Sequence, residues 1–533
     1  MIKDLLTLSP LLIVGATACL VLLIDLFSRR TTESPSHHLG WINALGNLLA
    51  FGIIFRKWYW GGVALTSPFL RTSLTADLYS LFLWGGITIF VALASLSSVG
   101  YDRENRLHHG EYYSLLSLAG LGMMLMVSAI DLVVFFVALE TMSLALYALV
   151  AMKRFSSRSA EAGLKFFFAG ALASAFLLYG IALLWGEVGR TDYFQLGTLL
   201  PGGVSTLGYI GLIFIFIGFA FKVALAPFHL WIPDAYQGAP APVSGLMASG
   251  VKIATFGALF RFFFISGASS ADAGSSLDLT QVFMWLSVLT LFLGSVVALH
   301  QTDVKRILAY SSVVHAGFMG LGVLALPADG AATMAGSLPF YLIAYGVANV
   351  GAFTVLAMLE SRKREAVTLE SMRGLAQRRP FVAFALTVCL ASLAGFPPTI
   401  GFMGKYFLFR DIIVLSGGQL TWVVVVAVAA SLVSVWYYLA PVLSMYMKAP
   451  EADPAPIIRN PAMTTALVLA LLAVLGLGLL PGTLAKRAER AASTVPVAGR
   501  SVAAEKVSDL SRFAHPVPRK YTSGGSATPR SPE

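Results

Sequence analysis

The sequence predicts an all-α polytopic membrane protein of about fourteen transmembrane helices. Its middle ten are expected to form two inverted five-helix repeats (helices 4–8 and 9–13), with helices 7 and 12 broken. Three observations carry this reading. Hydrophobic residues make up 57% of the 533-residue chain and charged residues only 12%, with a mean hydropathy of +0.78. An ordinary soluble domain has about 25% charged residues, so too few charges remain here to cover a water-exposed surface. Apolar runs of about 17–25 residues recur along the chain, each long enough to cross a bilayer. Lysine and arginine collect on alternate connections between those runs. Soluble enzymes, nucleic-acid binders and disulfide scaffolds are thereby excluded.

Taken in order, the expected spans are 8–28, 41–55, 75–99, 112–129, 131–151, 162–185, 206–226, 240–264, 280–299, 305–325, 336–359, 380–410, 420–447 and 462–481. The first run ends at Arg29-Arg30 without a small-residue cleavage site, so it reads as a transmembrane helix and not as a signal peptide. Only Asp131 separates the fourth and fifth runs, and Pro397-Pro398 interrupts the twelfth. Odd-numbered connections hold 17 lysines and arginines, from Arg29 to Arg459. Even-numbered connections hold 6: Arg56, Lys57, Arg71, Arg190, Arg261 and Arg410. This asymmetry puts the odd connections in the cytoplasm and both termini on the extracytoplasmic side. The net charge of +10 thus reports orientation and not affinity for a polyanion.

The chain divides into three N-terminal helices (1–111), a first repeat (112–265), a second repeat (280–447), a last helix (462–481) and a basic tail (485–533). From Lys486 onward the tail has nine basic and four acidic residues among Ala, Ser and Pro, and is expected to be disordered. The repeat rests on two offsets. Span seven ends at Pro227 and span twelve breaks at Pro397, 170 residues apart, while span four opens near Tyr112 and span nine near Gln281, 169 apart. Five helices per unit is an odd number, so the second unit inverts relative to the first. Proline-broken helices at matching positions of such repeats point to an ion path near the membrane midplane.

Ionisable groups deep in a span cost on the order of 2.5–3.5 kcal/mol each and are functional candidates by default. Glu140, in VVFFVALETMSLALYALV, lies too deep for its carboxylate to reach either interface. Lys222 stands five residues before Pro227, Lys252 sits near the middle of span eight among Ala248, Ser249 and Gly250, and Lys405 follows the second break by seven residues. Lys165, about four residues into span six, can equally reach the interface with its long stem. His300, Lys305 and His315 bracket the start of span ten, and Lys305 and Arg306 also fit ordinary connection residues. His315 is the better relay candidate, because imidazole titrates near neutral pH. His229, in PFHLWIP, divides evenly between relay and structural roles, and Asp77 and Asp131 read as interfacial. Cys19 and Cys389 stand far apart in apolar runs, with no metal spacing, so no redox centre is expected in this chain.

A lysine ordinarily gives up its proton near pH 10.4. A carboxylate ~4 Å away, at an effective dielectric of ~20, is worth about 4 kcal/mol, which corresponds to roughly a thousand-fold change in proton affinity. Making and breaking one Glu140–Lys222 pair is therefore enough to load and unload the lysine, and Lys252 and Lys405 continue the line across the second unit. The expectation is a proton-conducting axis lying in the membrane plane.

At these residues the chain resembles a known family. FKVALAPFHLWIPDAYQGAPAPVSGLMASGVKIA is similar to helices seven and eight of the subunit N family of respiratory NADH:quinone oxidoreductase, complex I. LETMSLALYALVA, EAGLKFFFAGALASAFLLYG, KRILAYSSVVHAGF and AGFPPTIGFMGKYFLF continue the likeness, which covers about residues 5–482 and not the tail. The resemblance implies a fourteen-helix antiporter-like subunit that translocates protons, driven by quinone reduction elsewhere in the complex. It carries over Glu140 as the helix-five carboxylate, Lys222 as its partner, Lys165 on helix six, Lys252 as the central lysine and Lys405 as the terminal one. Lys305 and His315 match the helix-ten pattern.

The resemblance also implies no cofactor in this chain, with NADH, FMN, iron–sulfur clusters and quinone in partner subunits. Expected neighbours are an M-type antiporter-like subunit and small K- and J-type subunits, in a bacterial inner membrane. YQGAPAPV differs from the acidic DAHxEAP pattern of the related L and M subunits. A subunit of a multi-subunit cation/proton antiporter is the alternative, and an assembly scaffold a third reading; buried charges at four positions argue against the scaffold.

Overall fold

The computed structural model describes residues 2–27, 37–59, 68–105, 107, 110–200, 204–266, 279–324, 336–361, 365–450 and 457–495. Helix occupies each of the expected stretches. In chain order these are α1 (Ser9–Phe27), α2 (His37–Tyr59), α3 (Leu78–Ser98), α4 (Gly110–Ser128), α5 (Leu132–Val150) and α6 (Ser157–Val188). The seventh is split into α7a (Thr206–Val223) and α7b (Trp231–Gly238). Then come α8 (Ala241–Ser266), α9 (Leu279–Ala298), α10 (Val304–Leu321), α11 (Ser337–Leu359), α12a (Pro380–Ala394), α12b (Ile400–Leu415), α13 (Thr421–Met447) and α14 (Pro461–Leu479). Among the described residues, twelve helices are long and apolar enough to cross a membrane, and the chain is an all-α polytopic membrane protein.

Polar caps start these helices where the sequence leaves a Ser, Asp or Asn ahead of an apolar run, since a cap oxygen accepts from the orphan N–H groups of the first turn. Asp77 accepts from Ser80 N at 2.8 Å and opens α3. Asp131, the lone break between two apolar runs, accepts from Val133 N and Val134 N and opens α5. Asp303 does the same for α10 through Lys305 N and Arg306 N. The two capping aspartates share a further arrangement: Asp131 pairs in antiparallel fashion with Asp192, and Asp303 with Thr368.

The core is built around α8, which is buried along its whole length, with α3 and α11 nearly as enclosed. A helix apolar on all sides has nowhere else to go inside a bundle, and this places Lys252 at the centre of the molecule. The α6 and α7a backbones meet directly: a Cβ on Gly180 would stand 2.7 Å from Gly211 O, and one on Gly211 would stand 3.0 Å from Gly180 O. Small residues at such crossings let helices approach closely. The close approach fixes the helix carrying Lys222 against the helix carrying Lys165 and Ser174.

Helix ends meet by parity of their connections. The end of α1 bonds the start of α4 (Gly110 N to Asp25), the α5–α6 connection reaches the end of α11 (Lys153 to Glu360), and α7b reaches the start of α10 (Gln237 to Asp303). At the other end, Leu74 pairs with Ala129, and Asp77 holds Arg261 with two bonds of 2.8 and 2.9 Å.

Two expectations change. Arg261 is not a connection residue: it lies inside α8, buried, and it also donates to Val127 O at 2.8 Å and Ser80 Oγ at 3.0 Å. Arg410 likewise lies within α12b. The tail does not lose structure at 485, because helix α15 (Pro481–Ala492) buries Ala488, Ala491 and Ala492 and packs on α3 and α11. Those alanines are spaced so that one face is apolar, which a reading by overall composition averages away. Arg29, Arg30, Arg106, Arg362, Lys363, Arg364 and the tail beyond Val495 lie outside the described residues.

The Asp77–Arg261 pair yields a test. Breaking a buried pair by removing one partner costs about 3–5 kcal/mol, because the other charge stays buried and alone. Asp77→Asn lowers the thermal midpoint of the detergent-solubilised protein, and the double variant Asp77→Asn/Arg261→Met recovers part of the loss.

Candidate functional site

Both helix breaks follow from proline chemistry. Proline has no N–H, so the carbonyl four residues earlier loses its helical donor. For Pro227 that carbonyl belongs to Val223, and for Pro398 it belongs to Ala394. Each half-helix ends at that residue and turns away through a left-handed one: Ala224 at φ 64° and Gly395 at φ 91°. Both ends are Schellman caps. Leu225 N bonds Ala220 O and Ala224 N bonds Phe221 O; Phe396 N bonds Ala391 O and Gly395 N bonds Ser392 O. The two left-handed residues stand 171 positions apart, so Pro398, and not Pro397, is the counterpart of Pro227.

The carbonyls freed by the two prolines are taken by buried lysines. Lys252 Nζ donates to Val223 O at 2.8 Å, and Lys405 Nζ donates to Ala394 O at 3.0 Å. The negative end of a half-helix dipole favours a cation at both places. Lys252 is reached from α8 through a π-helical turn, Met247–Val251, of the kind that marks functional sites. Lys405 comes from the second half of its own broken helix, bonds Ser431 Oγ at 2.7 Å and lies over the Phe318 ring at 4.9 Å. Gly395 serves twice here, since a Cβ would be strained at its φ and would stand 3.1 Å from Lys405 Cδ.

Lys222 is the residue before Val223, so it and Lys252 converge on the same helix end. Its ammonium donates to Ser143 Oγ at 2.9 Å and reaches Tyr147 OH at 3.5 Å, with the Tyr147 and Phe221 rings each 5.8 Å away. Glu140 accepts instead from Ser174 Oγ of α6 at 2.5 Å. The expected Glu140–Lys222 pair is therefore open. Ser143, one turn along α5 on the face of Glu140, takes the lysine, while the carboxylate acts on it through space.

His315 occupies the region between the second and third lysines and senses the charge of both Lys405 and Lys252. Its Nδ1 shares a hydrogen with Tyr341 OH at 2.6 Å and its Nε2 with Tyr438 OH at 3.2 Å, and Tyr438 goes on to Ser311. Glu140, Lys222, Lys252, His315 and Lys405 are thus buried or half-buried groups, each hydrogen-bonded to a hydroxyl or a freed carbonyl.

Four other candidates stand elsewhere. Lys165 is about half exposed, paired with Glu161 at 2.7 Å and Asp234 at 3.0 Å. His300 is exposed and bonds Val296 O of its own helix at 3.1 Å. His229 is buried in the α7 break and senses Lys252, but its Nδ1 has no hydrogen-bond partner among the described residues. Lys305 is wholly buried, bonding Ala239 O at 2.7 Å, Gln237 O at 3.3 Å and Glu360 at 3.2 Å. Glu360 also binds Lys153. Burial pushes the Glu360 carboxyl up, and the two lysines outweigh that and leave it below the usual carboxylate range. It stays ionised at neutral pH, and its contribution to stability fades only as acid protonates it below that range.

Sequence reasoning missed Ser143, Ser174, Tyr341, Tyr438, Lys153 and Glu360. Ser143 was within reach by helical spacing from Glu140. The others come together only in three dimensions.

The chain as a whole is similar to known proteins. The family model for the NADH:quinone oxidoreductase/Mrp antiporter transmembrane region matches residues 129–434. NADH-quinone oxidoreductase subunit N of Myxococcus xanthus is 40% identical over 446 residues, covering 78% of this chain and 85% of the relative. The chain belongs to the subunit N family of NADH-quinone oxidoreductases. Another subunit N, from Sorangium cellulosum, is 37% identical over 491 residues, covering 89% of this chain and 96% of its own. Among solved structures, a chain of Thermus thermophilus respiratory complex I with bound aureothin superposes with TM-score 0.73 at 33% identity, over 90% of this chain and 99% of that one. A chain of the Mrp complex from Dietzia shares the fold, at TM-score 0.77 and 20% identity, over 93% of this chain and 98% of that one.

The paired left-handed residues give substitutions of opposite sign. Gly395→Ala adds about 1–2 kcal/mol of backbone strain and crowds Lys405, lowering the thermal midpoint. Ala224→Gly relieves the same strain and leaves the midpoint unchanged or slightly raised.

Proposed function

We propose that this chain is the membrane-arm subunit of NADH:quinone oxidoreductase that translocates protons along Glu140, Ser143, Lys222, Lys252, His315 and Lys405. The observation that carries the reading is the pair of buried lysines bonded to the two proline-freed carbonyls, Val223 O and Ala394 O. An ammonium on a bare carbonyl is stabilised while charged, yet that acceptor takes no proton itself. A proton leaving Lys252 or Lys405 is therefore free to pass to a neighbouring base. Hydroxyls of Ser143, Tyr341 and Tyr438 both donate and accept, so they suit the gaps between charged groups. When Glu140 is recruited to Lys222, the lysine holds its proton; when the carboxylate turns to Ser174, as here, the lysine is released to Ser143.

Fourteen crossings fit the parity with which helix ends meet. Two inverted units fit the 171-residue offset of the caps and the matching Asp131–Asp192 and Asp303–Thr368 pairings. With odd connections cytoplasmic, both termini face outward in a bacterial inner membrane. Small K- and J-type subunits and an M-type subunit are its neighbours on this reading, while NADH, FMN, iron–sulfur clusters and quinone belong to other subunits. Relatives at 37–40% identity named subunit N favour this over a cation/proton antiporter subunit.

The test is NADH-driven proton pumping in inverted membrane vesicles. Glu140→Gln and Lys222→Met reduce it at least about ten-fold with the complex still assembled. Ser143→Ala removes a hydrogen bond to a charge worth about 1.5–3 kcal/mol and reduces it by roughly ten-fold, with Ser143→Thr recovering most of the rate. Unchanged pumping in Glu140→Gln and Lys222→Met would refute the assignment, and pumping that requires sodium would favour the antiporter reading.

A further inference from the structure

The relay leaves one buried charged cluster unused. Glu360 caps the end of α11 and is wholly buried, as is Lys305, and Lys153 of the α5–α6 connection is 7% exposed. Lys153 Nζ bonds Glu360 Oε1, and Lys305 Nζ lies 3.2 Å from the same carboxylate. Two ammonium groups thus share one carboxylate. Tyr101, from the short helix Tyr101–Asn105, and Tyr112 of α4 sense the same carboxylate, and Asp303, the α10 cap, acts on Lys305.

A clamp between two helical units needs one cation for one anion. Burying each ion has an effective cost of several kcal/mol even after relaxation, so a second ammonium is a liability that fastening alone does not explain. Asp303 acts on Lys305 from the α10 cap, and the two ammonium groups still compete for the single Glu360 carboxylate. The position of Lys305 is also specific. The other donors of Lys305 go to Gln237 O and Ala239 O, at the segment leading into α8, the helix that carries Lys252. On the outer side stands a partly exposed network: Asp234 with Lys165 and Arg306, Arg306 with Gln237, and Ser156 with Glu365 at 2.7 Å. Gln237 thus touches both the cluster, through its carbonyl, and that rim, through its side chain.

We infer that Lys153, Glu360 and Lys305 form a proton-uptake switch, in which the Glu360 carboxylate passes between the two lysines and Lys305 supplies the central lysine from the odd-connection side. This rests on the relay reading above and adds its feed. While Glu360 is drawn to Lys153, Lys305 gives its proton toward α8. A proton arriving through the Asp234 network restores the Lys305 ammonium and draws the carboxylate back. One proton enters and one leaves in each cycle, and Glu360 stays ionised throughout.

The test measures NADH:quinone turnover and pumping against pH in inverted vesicles containing the assembled complex. Glu360→Gln leaves two ammonium groups facing each other without their shared carboxylate, so the cluster loses a proton more readily. The alkaline limb of the pH profile then moves toward acid by about one pH unit or more. Lys153→Met removes the competing cation and fixes the carboxylate on Lys305, so the limb moves toward alkali and the maximal rate falls several-fold. Lys153→Arg keeps the wild-type profile. Opposite shifts support the switch, because a clamp would alter assembly or thermal stability without moving the limbs in opposite directions. Should Glu360→Gln fail to assemble, Lys153→Met decides alone, and an unshifted limb overturns the inference. Lys252→Met is the control: lost pumping there beside unshifted profiles in the other variants sinks the switch only, whereas retained pumping there sinks the relay itself.

Discussion

The bond between a lysine and a proline-freed carbonyl is the constraint on which the rest depends. A bundle in hydrocarbon must satisfy every backbone polar group internally, so a break in a helix at membrane depth is costly unless something answers the orphaned carbonyl. Here the answer is a charged side chain each time: Lys252 for Val223 and Lys405 for Ala394. Each defect offsets the other, since the broken helix needs a donor and the buried cation needs an acceptor. Removing either would strand the other, which explains why the sequence carries both.

This coupling also sets the layout. Because Val223 follows Lys222, the lysine from α7a and the lysine from α8 are drawn to one helix end, although they are 30 residues apart in the chain. The second broken helix reaches the same acceptor position by another route, with the donor on its own second half. Equivalent backbone and different donors mean that the two breaks share a geometry without sharing a side-chain pattern. The histidine and its tyrosines fill the interval between them.

Most of the architecture was legible in the sequence. Apolar run lengths, the two proline breaks and the charged residues at depth point to the helices and to the buried lysines, because the membrane imposes a demand that composition alone reveals. What was not legible depended on which groups meet. Glu140 and Lys222 read as an obvious pair, yet Ser174 and Ser143 compete for them, and hydroxyls in a helix carry no sequence signal of their own. Lys305 read equally as a relay or a connection residue, and its sharing of Glu360 with Lys153, each unremarkable in its local sequence, arises only in the fold. The helix after Pro481 was obscured by its composition, since four charges and a run of alanines read as solvent-exposed chain unless their face is resolved.

The bare-backbone crossing of α6 on α7a has a mechanical consequence. Two helices with no room for a Cβ between Gly180 and Gly211, and with Phe176 and Tyr179 of one set against Phe214 of the other, resist sliding and behave as one strut. Ser174 on one and Lys222 on the other are then held at a constant separation, like the fixed contacts of a relay. Glu140 lies on a third helix, so on the proposed relay a change of its partner would need only rotation about its own side-chain bonds and no tilting of that strut.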